Sequence, residues 1–397
     1  MSRRLGILTL HYGYNEGAVL QAFALSKYIS RNFSCDVEVI DRRYSCKLRQ
    51  MGSPSDDRKR AIRSDMNEYL PLGPSILANA DEREVAEYVR ARFEALVVGS
   101  DVVWALKYRS RFRRLFTQNL LKVQDGDFFP PFPNCYWIPW QFSGIKLAYA
   151  ASAGNFSIQD STFFHRRKMS QLLRRFDAIG VRDSATEEMV SSLLGDSDIP
   201  TRVPDPTLLL GLGEFPADDE SLRRRFENWG VGAGVPAALV AVREGVDVGG
   251  VILELRRRGL LTVAVTGGKH NVEIDLTRKP IGAIDWSRVF SMFDFVVTDR
   301  MHASIFSVKN HVPVLSIDVD SDNCFGTSKV SCFMRSVGLS DACIGKGEVG
   351  SININEKLDE LIYSKWNWNR VDSKIESLRE RGAEFLRKHL ATFYKSP

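Results

Sequence analysis

Short apolar runs alternate with amphipathic segments along most of this chain, and each run ends in small or polar residues. The first is LGILTL (5–10), followed by the loop HYGYNEG. From Ala18 to Ser30 the residues Val19, Leu20, Phe23, Leu25 and Ile29 recur at helical spacing. Further strand-like runs are DVEVID (36–41), ALVVGSD (95–101), IKLAYAASAG (145–154) and DAIGVRDS (177–184). Residues 44–92 are polar, carry Pro54, Pro71 and Pro74, and suit loops and helices, with ADEREVAEYVRARF (80–93) among the helices. Strands separated by helix-length segments are the pattern of βαβ units and a parallel sheet.

The alternation pauses at TRVPDPTLLLG (201–211) and resumes at AALVAVREG (237–245), which places a boundary near 205–235. The second half then predicts a helix over 249–258 and strands at LTVAVTGG (261–268), DFVVTDR (294–300) and VPVLSID (312–318). A helix from Ala303 joins the last two strands, and an amphipathic helix over about 371–394 closes the chain. A chain of 397 residues exceeds the ~100–200 residues of one domain. The expected fold is therefore α/β, with two doubly wound Rossmann-like domains facing a cleft, the GT-B-like architecture. The expected domains are 1–210, 211–370 and a terminal helix over 371–397.

Composition narrows the partners. Hydrophobic residues make up 44% and charged residues 26%, the balance of a globular protein with a real core. A net charge of +5 favours small anionic substrates or an acidic membrane surface and falls short of a nucleic-acid stripe. The basic run DRKRAIRS (57–64) reads as a solvated face, with attraction to anionic lipid as the alternative. The six cysteines show no C-x-x-C pair, so reduced thiols are expected rather than zinc or disulfides. MSRRLGILTL is too short for a signal peptide and lacks a cleavage site, and no run approaches the ~18 apolar residues of a membrane span. These features predict a cytoplasmic protein that is at most peripheral at the inner face of the membrane, and they leave a homo-oligomer open.

In open parallel sheets, ligands bind beyond the carboxyl ends of the strands. The residues at those ends are His11, Tyr12, Asn15 and Gly17; Ser100, Asp101 and Trp104; Ser152 and Gly154; Arg182 and Asp183; Arg243 and Glu244; Gly267, Gly268 and His270; and Asp299, Arg300 and His302. GYNEG is either a plain turn or a helix N-terminus able to hold an anion, with Asn15 and Gly17 at its start. It is neither a dinucleotide fingerprint nor a Walker loop. GSDVVW reads as a helix cap with Trp104 in the core, or as a carboxylate at a ligand site. Arg182 either pairs with Asp183 or faces the cleft.

The stretch VVTDRMHASIF (296–306) sets an acid, a guanidinium and an imidazole between two apolar segments. Arg300 can grip a phosphate or carboxylate bidentately. An imidazole titrates near neutrality, which suits His302 to general acid–base work. Asp299 is placed to orient either neighbour. The competing reading is a buried salt bridge at a helix start.

Six stretches together resemble the polysaccharide pyruvyl transferases: GILTLHYGYNEGAVLQAFAL (6–25), VVGSDVVW (97–104), KLAYAASAG (146–154), GVRDSAT (180–186), PDPTLLL (204–210) and VVTDRMHASIFS (296–307). The resemblance implies a GT-B-like fold and transfer of the pyruvyl group of phosphoenolpyruvate to two sugar hydroxyls, giving a cyclic ketal and phosphate. It implies phosphoenolpyruvate as co-substrate, with no further cofactor expected, and a saccharide or lipid-linked saccharide as acceptor. No clustered metal-ligand set appears in the sequence, and arginines can supply the positive charge, so a metal requirement is left open. It places the family's arginines on Arg182 and Arg300, its histidine on His302 and its strand-tip aspartate on Asp101. Substrate-binding roles are expected for Arg182, Arg300, Asn15, Gly17, Ser152 and Asp299. Catalytic roles are expected for His302, which would deprotonate the acceptor hydroxyl or protonate the departing phosphate, and for Asp101, which would orient the acceptor or a proton-carrying group. The first domain would take the acceptor and the second the donor. Where the family often has Glu, this chain has Asp183. Where the family commonly has Phe and Gly about the histidine, it has Met301 and Ala303.

Two alternatives stand beside this reading. A GT-B glycosyltransferase would use Arg300 and the TGG loop for a nucleotide-sugar diphosphate, with His270 or Glu244 on the sugar or ribose and Glu273 as the candidate ribose acid. A peripheral scaffold would use the 57–64 run and the terminal helix, and would leave Asp299, Arg300 and His302 without purpose.

Overall fold

The computed structural model describes residues 3–44, 55–73, 80–106, 130–154, 156–195, 199–319, 328–350 and 353–393. They form two compact units: Met1–Ser53, Met66–Leu209 and Leu378–Pro397 make the first, and Pro54–Asp65 with Leu210–Ser377 the second. Thus 54–65 belongs with the second unit and the end of the terminal helix with the first, a departure from the sequential division at 210. Long-range packing decides both, since Arg58 is buried with its guanidinium over the Trp286 ring, and Phe385 packs on Tyr149.

The first unit is built on six parallel strands: β1 (Arg3–Leu8), β2 (Cys35–Val39), β3 (Ala95–Val98), β4 (Ile145–Ala151), β5 (Ala178–Val181) and β6 (Thr201–Arg202). Their order is β2-β1-β3-β4-β5-β6. The helices are α1 (Glu16–Asn32), α2 (Asp57–Tyr69, which passes between the units), α3 (Glu82–Arg92), α4 (Phe163–Leu173) and α5 (Ser184–Leu194). Buried leucine, isoleucine and valine fill β1 and β3, as expected of strands covered on both faces.

The second unit repeats the plan with β7 (Ala237–Ala241), β8 (Leu261–Ala264), β9 (Ile274–Asp275), β10 (Phe295–Thr298), β11 (Val314–Asp318) and β12 (Cys343–Gly345), in the order β12-β11-β10-β7-β8-β9, all parallel. Its helices are α6 (Asp219–Asn228), α7 (Gly249–Arg257), α8 (Ala283–Val289), α9 (Met301–Lys309), α10 (Lys329–Ser336) and α11 (Ile354–Tyr363); α12 (Trp368–His389) leads back into the first unit. Each sheet reverses its direction of growth once, between β1 and β3 in the first and between β7 and β10 in the second. In open sheets that reversal opens the crevice where ligands bind.

Cys35, Cys135, Cys332 and Cys343 form no disulfide with one another, while Cys46 and Cys324 lie outside the described residues. No described helix is long and apolar enough to cross a membrane.

Candidate functional site

At the reversal of the second sheet, Thr298 ends β10. Its hydroxyl donates to the Ala241 carbonyl (2.8 Å) and accepts from the Arg300 amide (3.0 Å). Asp299 is buried and accepts from the Arg243 amide (3.1 Å) and the Arg243 guanidinium. It therefore ties the tip of β7 to the tip of β10. The expected role of Asp299 in orienting Arg300 or His302 gives way to this bond, because both carboxylate oxygens face Arg243.

Arg300 is the N-cap of α9 in extended conformation (φ −106°, ψ 125°), and the first intrahelical bond runs from the Ser304 amide to its carbonyl (3.0 Å). The Arg300 side chain makes no capping hydrogen bond to this helix. The Arg300 Nε is buried with no hydrogen-bond partner among the described residues. His302 stands half-buried in the first turn. A helix N-terminus, an unsatisfied guanidinium and an imidazole thus meet within three residues. The peptide dipoles and the arginine favour negative charge at the same place.

Two other helix starts after strands behave differently. At α1 the Asn15 Oδ1 accepts from the Gly17 amide (3.0 Å) and the Ala18 amide (3.4 Å), and buried Glu16 adds a carboxylate to the first turn. The amides expected to hold an anion there are occupied, so Asn15 and Gly17 form a helix cap. At α5 the Asp183 Oδ1 accepts from the Thr186 amide (2.9 Å) and hydroxyl (2.6 Å).

In the first unit, Asp101 sits beyond β3 at φ +73°, a left-handed conformation that aspartate tolerates better than most residues. The described residues after it, 102–106, are not helical, so neither Ser100 nor Asp101 caps a helix there, and Trp104 is fully buried as expected. Gly99 before it lies at φ +115°, and a Cβ there would stand 2.2 Å from the Tyr149 carbonyl oxygen. Only glycine lets the chain lie this close to β4. Ser152 is fully buried: its amide donates to the Asp101 carbonyl (3.0 Å), and its hydroxyl accepts from the Gly154 amide (3.0 Å). It supports the Asp101 loop and has no surface for substrate.

The Arg182 side chain is 2% exposed and donates to Asp205 Oδ2 (2.9 Å) and Asp101 Oδ1 (3.4 Å); its Nε alone lacks an acceptor. Burial works against its charge, but Asp205, Asp101 and Asp183 more than offset this and hold its pKa above the ordinary value. Arg182 was expected to grip substrate, yet its terminal nitrogens already hold two carboxylates. The contact holds Asp101, whose carboxylate is partly exposed. Sequence reasoning gave no role to Asp205, whose Oδ1 caps the turn at Thr207 (3.0 Å to the amide). Its place between two prolines in PDP was the available signal.

A second buried pair lies beyond β1 and β2. His11 Nε2 is 3.0 Å from Asp41 Oδ1, and Nδ1 is 3.1 Å from the Thr9 carbonyl. Burial alone would raise the Asp41 carboxyl, but hydrogen bonds from His11 and Arg43 outweigh it and hold the group below the usual range.

Three of the residues offered for a nucleotide sugar, Gly267, His270 and Glu273, have structural partners. Gly267 lies at φ +111°, and a Cβ there would stand 2.1 Å from the Val242 carbonyl oxygen, so the glycine lets the loop close on β7. His270 Nε2 lies 2.9 Å from that same oxygen. Glu273 accepts from the Thr262 amide (2.9 Å) at the start of β8, the end of the strand away from the crevice. The basic run at 57–64 is partly neutralised in place: Arg60 pairs with Asp57 and Lys59 with Asp56 (3.9 Å). Among the described residues, no three His, Cys, Asp or Glu stand together to hold a metal ion.

The family model for polysaccharide pyruvyl transferase matches residues 15–321. No curated protein sequence matches the chain. Among solved structures, Anabaena HepE in complex with UDP is similar at 8% identity and TM-score 0.53, over 97% of this chain and 100% of its own. The UDP-GlcNAc 2-epimerase of Neisseria meningitidis, bound to UDP-GlcNAc, is similar at 10% identity and TM-score 0.55, over 98% and 100%. MnaA of S. aureus in a UDP co-structure follows at 10% identity and TM-score 0.52, over 100% and 99%. Likeness at such low identity shows the fold alone: α/β, two Rossmann-like units of GT-B type.

Proposed function

The chain belongs to the polysaccharide pyruvyl transferase family, and from that membership we propose that it moves the pyruvyl group of phosphoenolpyruvate onto two hydroxyls of a sugar in a polysaccharide or glycolipid precursor. The observation that carries the donor assignment is Arg300 at the N-cap of α9, its buried Nε without a hydrogen-bond partner among the described residues. Phosphoenolpyruvate bears a phosphate and a carboxylate, and a planar guanidinium with aligned amides suits either group.

In the reaction, the methylene carbon C3 takes a proton and C2 becomes electrophilic. One sugar hydroxyl bonds to C2, the bond from C2 to the phosphate oxygen breaks, and the second hydroxyl closes the ketal. The two hydroxyls release two protons, which balance the one gained by C3 and the one gained by phosphate. Arg300 and the first-turn amides of α9 stabilise the charge that grows on phosphate as it leaves. His302 takes the proton of the attacking hydroxyl and passes it to the phosphate. Asp101, held by Arg182, is the carboxylate we propose to orient an acceptor hydroxyl. Against the nucleotide-sugar alternative stand the Gly267 approach to β7 and the bond of Glu273 to the Thr262 amide.

Incubation with phosphoenolpyruvate and a panel of methyl glycosides is expected to release phosphate together with a product carrying an acid-labile ketal. In His302→Ala, kcat is expected to fall by about 10²–10⁴ with phosphoenolpyruvate affinity kept. Near-normal turnover in that variant would remove the base role.

A further inference from the structure

At the other end of the second sheet, before β12 begins, lies a cavity of about 220 Å³ that the pyruvyl chemistry does not use. Its floor is apolar and buried, formed by Val337, Ala342, Leu361 and Val371. Trp366 forms one wall. Its indole N–H donates to the Leu361 carbonyl (2.8 Å), and its ring stacks on Trp368 at 5.0 Å and 16°. Trp368 in turn stacks on His311 at 5.1 Å and 19°, and His311 Nε2 meets Asp372 Oδ1 at 2.9 Å. Three stacked rings, pinned at both ends by hydrogen bonds, give an aromatic wall that needs little ordering when a ligand arrives.

The rim carries Asp341, Glu360, Lys365 and Arg370, all exposed, together with Asn367. Two carboxylates and two cations give no preference for either sign of charge, so the rim suits a neutral ligand with many hydroxyls. An apolar floor, a flat wall and a few polar groups at the edge form a small-molecule site. A pyranose ring, with C–H groups on its faces and hydroxyls at its edge, matches each part. We propose that this cavity is a second, non-catalytic saccharide-binding site, which holds a polymeric acceptor at a sugar unit remote from the one that is modified. The proposal rests on the polysaccharide reading of the family. It names the acceptor as a polymer, since a single sugar would gain nothing from a second site.

The test records the indole N–H resonances of the whole protein by NMR, without phosphoenolpyruvate. Probes are millimolar hexasaccharides of β-1,4-glucose, β-1,3-glucose, β-1,4-N-acetylglucosamine and α-1,6-mannose. Trp366 is assigned through Trp366→Phe. At least one probe is expected to move the Trp366 resonance saturably, and Arg370→Ala and Asn367→Ala, both at exposed positions, to weaken that binding about tenfold. Arg370→Ala should also raise KM for a polymeric acceptor while turnover of a methyl glycoside is unchanged. The proposal is overturned if no probe moves the resonance, or if both variants bind as tightly as the wild type. Because the titration contains no donor, its failure and a failure of pyruvyl transfer are read separately.

Discussion

Arg182 and Arg300 each follow a short apolar strand, and nothing local in the sequence separates them. Their difference lies in distant partners. Asp205 stands 23 residues after Arg182 and Asp101 stands 81 before it, and the fold brings both carboxylates onto one guanidinium. Arg300 receives no such partner, because the adjacent Asp299 turns to Arg243 instead. Removing Arg182 would leave Asp205, fully buried, without its countercharge. Arg182→Ala is therefore expected to destabilise the first unit by about 3–5 kcal/mol, seen as a fall in its urea midpoint. Arg300→Ala is expected to cost less than about 1 kcal/mol, since no side-chain hydrogen bond to Arg300 is lost among the described residues. Equal midpoints for the two variants would contradict the division of roles. The candidate residues were thus legible as types at strand tips, while their division into scaffold and site was not.

At the scale of elements the hydrophobic pattern was a good guide. The run at 36–41 becomes Cys35–Val39, the helix at 18–30 becomes Glu16–Asn32, and the final helix at 371–394 becomes Trp368–His389. Shifts of a few residues arise because helix and strand ends depend on caps and neighbours, which periodicity does not register. The strands β6, β9 and β12 were not legible, being too short to show any period. Loop chemistry was harder still. A glycine pair after β8 looks the same whether it cradles a phosphate or allows two chain segments to touch, and only the 2.1 Å approach to the Val242 oxygen decides it. Gly267→Ala must then clash at a left-handed position and is expected to lower stability by about 2 kcal/mol or more, measured by chemical denaturation. A folded variant of unchanged stability that had lost affinity for a UDP sugar would reinstate the loop as a diphosphate cradle.

For the molecule as a whole, two doubly wound units were visible in the alternation of strands and helices, and the family in six short stretches whose order matched. The exchange of 54–65 and 378–397 between the units was not visible, because it depends on side chains such as Arg58 and Phe385 finding partners far along the chain. The reading of the basic run as a lipid-binding surface is weakened in the same way, since Arg58 is buried against Trp286. The start of α9, where the Arg300 guanidinium and the His302 imidazole stand together, is the place we propose for the donor's anionic groups. The most direct test is thermal denaturation of the protein with phosphoenolpyruvate and, separately, with UDP-glucose, repeated on Arg300→Ala. A ligand that binds only the folded state stabilises it by about 2.7 kcal/mol at a hundredfold excess over its dissociation constant. A rise in Tm with phosphoenolpyruvate that vanishes in Arg300→Ala is the predicted result; a rise with UDP-glucose and none with phosphoenolpyruvate would contradict the account.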